Sequence, residues 1–92
     1  MNEESISFGQ QVYAALEEHG RADVLTRELK YAQIQTFKNA SREQIAGLFK
    51  KNWPRLANEA QTAPPVYFAA YFTGFMDSGA LTDLEKIILY VV

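Results

Sequence analysis

The chain has 92 residues, no cysteine, one histidine and a formal net charge of −2, with 48% hydrophobic and 22% charged residues. That length accommodates one domain, residues 1–92, with a modest core, and the composition is that of a globular chain rather than a disordered one. The lack of cysteine excludes disulfides, thiolate metal sites and cysteine nucleophiles together, and accords with a reducing compartment.

Charge is unevenly placed. Residues 1–20 carry −4. Residues 21–55 carry +5, from eight cations against Asp23, Glu28 and Glu43, and residues 56–92 carry −3. A basic middle is therefore flanked by acidic ends.

Taken in order, residues 1–6 form an acidic start. Ser7-Phe8-Gly9-Gln10 then matches a capping box, in which the serine oxygen accepts from the third helical N–H. A first helix follows, with Phe8, Val12, Ala15 and Leu16 at three- and four-residue steps and Gly20 as its left-handed terminator. Asp23 is placed to cap a second helix running through Val24, Leu25, Leu29, Ala32, Ile34 and Phe37. The piece from Tyr31 to Phe37 also alternates at period two, so a strand over 31–37 is the competing expectation.

Ser41-Arg42-Glu43-Gln44 is a second capping box, opening a third helix with Ile45, Leu48 and Phe49 on its apolar stripe. Pro54 lacks an N–H and biases Trp53 toward extended geometry, so that helix is expected to end near Lys51 and a short fourth to start at Pro54. A single kinked helix is the alternative. Thr62-Ala63-Pro64-Pro65 reads as a stiff connector into Val66–Met76, which lies in a window without charge from Ala60 to Met76.

That stretch is apolar all round. Tyr67, Phe68, Tyr71, Phe72 and Phe75 share one arc, and Val66, Ala69, Ala70, Thr73, Gly74 and Met76 occupy the rest, which predicts a buried central helix. A membrane span needs about 20 apolar residues; Pro64, Pro65 and Asp77 bound a shorter run, and no signal peptide is recognisable. A soluble, cytoplasmic protein is expected. Thr82-Asp83-Leu84-Glu85 caps a last helix with Leu84, Ile87, Ile88 and Val91 facing inward, against a strand over 87–92 as alternative. The resulting fold class is all-α, a small bundle of five or six short helices around the aromatic-rich one. The alternative is α+β, with strands near 31–37 and 87–92.

No set of residues for catalysis assembles from this pattern. The single His19 precedes Gly20 at a helix end, where a cation is electrostatically favoured, and its neighbours Glu17 and Glu18 point elsewhere. The acids come as sequence neighbours, which diverge on a helix, and the five glycines are scattered. Neither an enzyme nor a cofactor or metal site is expected.

The basic middle is the positive signal. Lys38, Arg42, Lys50, Lys51, Trp53 and Arg55 form the expected working surface, because a tryptophan ringed by cations has the composition of a binding hot spot. The plainer account makes these cations a solvated face balanced by the acidic ends. The sharper ones give the surface to a protein partner or ribonucleoprotein complex, or to nucleic acid, with phosphates on Lys and Arg and bases on Tyr31, Phe37 or Trp53. Placed on Arg42 to Glu59, a helix-turn-helix pattern scores three apolar positions right but puts Lys50 and Lys51 in its turn and Glu59 in its core.

The expected function is a small non-enzymatic interaction module, an adaptor or inhibitor. Its size suits a phage or mobile-element product aimed at a host defence or other macromolecular complex. A nucleic-acid binder and a structural subunit or homodimer are the alternatives.

Overall fold

The structure, a computed structural model, describes residues 6–79. Among them are six α-helices and no strand: α1 Phe8–Glu18, α2 Asp23–Glu28, α3 Tyr31–Lys38, α4 Arg42–Lys50, α5 Pro54–Thr62 and α6 Pro65–Asp77. The all-α bundle is what the pattern predicted. The expected last helix after Thr82 and the alternative strand over 87–92 lie outside the described residues.

Local chemistry explains most boundaries. Ser7 is extended and its side chain accepts from the Gln10 N–H at 3.0 Å, starting α1. At the other end Gly20 takes φ +69° while the N–H groups of Gly20 and Arg21 return to the carbonyls of Glu17 and Leu16, which closes the helix with a left-handed glycine. Ser41 and Gln44 complete their box in both directions, at 3.2 and 2.8 Å, and launch α4. Pro54 and Pro65 each occupy the first helical turn, where a missing N–H costs nothing. α4 and α5 are thus two helices, not one kinked rod.

The segment 23–38 departs from expectation. One continuous helix was predicted, or a strand over 31–37; the chain forms two helices, α2 and α3, separated at Leu29 (φ −103°, ψ 148°). Leu25 and Ile34, nine residues apart, would lie about 180° apart on one helix. The break turns both into the same core, where Leu25, Leu29, Ile34 and Phe37 are all buried. Gln33 restarts the helix, its Oε1 accepting from the Lys30 N–H at 2.7 Å. Asp23, predicted as a cap, is instead the first residue of α2, after Ala22.

Four phenylalanines, Phe37, Phe49, Phe68 and Phe72, are fully buried and make the centre of the core. Phe72 stacks on Phe37 (5.4 Å between centroids) and on Phe68 (5.8 Å), and Phe49 meets Phe68, Phe72 and Phe75 at an angle. α6 therefore organises the core, but it is not buried all round. Phe68, Ala69, Phe72 and Met76 face inward, whereas Val66, Tyr67 and Tyr71 remain 45%, 63% and 46% exposed. A tyrosine's hydroxyl lets it stay at the surface, so the two tyrosines of the predicted five-residue aromatic arc face water. Arg21 and Asp77, 2.5 Å apart, connect the segment after α1 to the end of α6.

Candidate functional site

Two turns flank α4, and the six predicted surface residues divide between them. The first joins α3 to α4 and is tied to the rest of the molecule. The Ser7 hydroxyl donates to the Lys38 carbonyl, and the Gly9 N–H donates to the buried Ala40 carbonyl at 2.9 Å. Lys38 Nζ sits 4.5 Å from the centre of the Tyr13 ring. Arg42 donates from one guanidinium nitrogen to the carbonyls of Ala60 (2.7 Å) and Ala63 (3.0 Å), with its guanidinium 4.2 Å above the Phe8 ring. These carbonyls lie at the end of α5, so Arg42 caps α5 from α4. Both cations are employed in holding helices together.

The second turn, between α4 and α5, is open. Lys50, Lys51, Asn52 and Arg55 are exposed, and the side chains of Lys50, Lys51 and Arg55 make no ion pair or hydrogen bond among the described residues. Trp53 is half-buried between them. Its indole meets Phe75 at 4.9 Å and Phe49 at 6.0 Å, both edge to face, which fixes one side of the ring against the core. The other side lines a cleft.

That cleft, about 470 Å³, lies between the start of α5 and the exposed face of α6. Trp53, Pro54, Leu56, Tyr71 and Phe75 form apolar walls, and Asn52, Arg55 and Glu59 supply the polar rim. A smaller, more polar groove on the opposite side of Pro54 is lined by Glu43, Gly47, Lys50, Asn58 and Gln61. The structure thus brings Lys50, Lys51, Trp53 and Arg55 to one turn and sets Lys38 and Arg42 apart from them.

Sequence reasoning did not place Leu56, Tyr71 and Phe75 beside Trp53, where they line the cleft. Tyr71 and Phe75 were assigned to the core, and no local signal links them to Trp53, from which they are separated by the whole of α5. Exposed apolar side chains have no signature in a periodic pattern that also fits burial. His19 ends α1 in an exposed position, and among the described residues no group of three or more His, Cys, Asp or Glu side chains could hold a metal ion. No helix of the described residues is long and apolar enough to cross a membrane. Comparison with protein-family models, with curated proteins and with solved structures finds no match to this chain.

Proposed function

We propose that the chain is a small non-enzymatic interaction module, an adaptor or inhibitor, that docks on a protein or ribonucleoprotein complex of the cytoplasm through the α4–α5 turn. One observation carries the reading: the turn that holds the half-buried Trp53 against an apolar cleft also carries Lys50, Lys51 and Arg55, of which Arg55 lines the cleft, with no internal partner among the described residues for any of the three cations. Cations without a partner among the described residues are available to steer and orient an acidic partner. A tryptophan held edge-on by Phe49 and Phe75 offers a rigid anchor beside them, which is how binding energy concentrates in interfaces. The contrast with Arg42 supports the same reading, since that cation is consumed in capping α5.

The test is affinity capture from host extract, with and without nuclease, of the tagged chain and of a K50E/K51E/R55E variant. A protein retained after nuclease by the first and lost by the second is the expected result. The variant's melting temperature should stay close to that of the parent, because exposed substitutions usually change stability by less than about 0.5 kcal/mol. A protein partner that the variant still captures overturns the surface. Capture abolished by nuclease transfers the turn to nucleic acid.

A further inference from the structure

We infer that the Trp53–Tyr71 cleft receives an apolar anchor side chain, aromatic or leucine, from an acidic segment of a protein partner. This rests on the reading of the α4–α5 turn as the partner-binding surface and specifies what is bound there. Three features select this occupant. The walls Trp53, Leu56, Tyr71 and Phe75 are apolar, and the volume of about 470 Å³ lies within the range that ligand pockets occupy. The exposed apolar face does not stop at Tyr71, because Tyr67, four residues earlier on α6, continues it. A face prolonged in this way fits an elongated chain better than a compact small molecule.

Charge supplies the third feature. Arg55 stands on the rim itself and Lys51 adjoins the rim residue Asn52 in sequence, against Glu59 as the one acid that lines the cleft. An acidic segment would meet two cations that the fold leaves unpaired among the described residues, and its apolar residue would cover the indole. A basic segment would meet the same cations with like charge. Proline at position 54 and the edge-on contacts of Trp53 with Phe49 and Phe75 hold the wall in place before binding, so little ordering is required of it.

Trp53 is the only tryptophan in the chain and lines the cleft, so its fluorescence reports occupancy directly. The experiment pans a random peptide display library on the immobilised full chain, then titrates tryptophan-free synthetic versions of the enriched peptides against Trp53 emission. Enriched sequences should combine acidic residues with a phenylalanine, tyrosine or leucine. Tyr71→Glu, at an exposed position, and Arg55→Glu should each weaken binding by about tenfold or more, the scale expected for an interface anchor, with unchanged melting temperature.

Failure to enrich, or enrichment of basic sequences, overturns the inference. Peptide binding that survives Tyr71→Glu but is lost in K50E/K51E/R55E overturns the cleft while leaving the basic turn as the partner surface. Binding indifferent to both variants overturns the two together. Oligodeoxythymidine that shifts Trp53 emission when the enriched peptides do not would give the cleft to unpaired bases instead.

Discussion

The two turns on either side of α4 carry similar charge in the sequence and have opposite fates in the fold. At the α3–α4 turn, backbone carbonyls and cationic side chains are bound to α1 and α5; at the α4–α5 turn, the cations are exposed and unpaired among the described residues, while Trp53 is held by Phe49 and Phe75. A cation count along the chain therefore overstates the available surface. What decides between the two is the supply of acceptors: the end of α5 presents the carbonyls of Ala60 and Ala63 to Arg42, and nothing comparable among the described residues reaches Lys51 or Arg55.

The sharpest way to break the comparison is to untie the first turn. At Gly9 a Cβ would fall 1.8 Å from the Phe37 carbonyl oxygen, a backbone atom that cannot swing aside. Gly9→Ala must push α1 away from the end of α3 and disturb the Gly9–Ala40 hydrogen bond. A loss on the order of 3 kcal/mol is expected in chemical denaturation, from overpacking together with the weakened bond. A variant of parental stability would mean that α1 does not sit this close to the α3–α4 turn.

Arg42→Met keeps much of the apolar stem over Phe8 but removes both bonds to the α5 carbonyls. About 2 kcal/mol should be lost, the scale of hydrogen bonds to a charged donor. Arg42→Lys should recover only part of it, since an ammonium lacks the planar fork. The same substitutions should leave the affinity of the folded chain for partners unaltered, in contrast to changes at Lys51 and Arg55. An Arg42 variant that folds normally but binds poorly would return Arg42 to the working surface.

Much of this arrangement was legible in sequence, and the reasons are local. Ser7, Ser41, Pro54 and Gly20 set helix ends through groups within three or four residues, so their roles could be read directly. The break at Leu29 could not: residue 30 is a lysine where a capping serine would have signalled a new start, and only the buried positions of Leu25 and Ile34 account for the turn. Long-range facts were hidden for the same reason. Nothing near Arg42 in sequence points to Ala60 and Ala63, and the apolar pattern of α6 does not distinguish the buried Phe72 from the exposed Tyr71.

α4 itself links the turns and offers a gain of stability. Gly47 lies exposed in its interior, and a Cβ there would meet nothing within 4 Å. Gly47→Ala should stabilise the fold by about 0.5–1 kcal/mol through helix propensity alone. It also lines the polar groove on the Lys50 side of Pro54. Unaltered peptide binding by the stabilised variant would confine recognition to the Trp53 side, whereas weakened binding would show that the occupant reaches over α4.

The smallest expected effect is a pH dependence at the tied turn. Burial, with a further contribution from the Glu17 carboxylate, raises the Tyr13 phenol above its ordinary value of 10.0. In the unfolded chain the phenol ionises near that ordinary value, while the folded protein holds its proton to higher pH. The unfolded state thus binds fewer protons in that interval, and stability falls as pH rises past about 10. Below this point the contribution is fully present. Tyr13→Phe keeps the ring beneath Lys38 and removes the titrating group, so its alkaline decline should be shallower than that of the parent. The difference between the two curves isolates Tyr13. Glu17→Gln should remove only the lesser part of the effect, because desolvation is the larger cause. Identical alkaline limbs for parent and Tyr13→Phe would mean that the phenol is solvated, and that this corner of α1 is not closed by Lys38 and the turn that carries it.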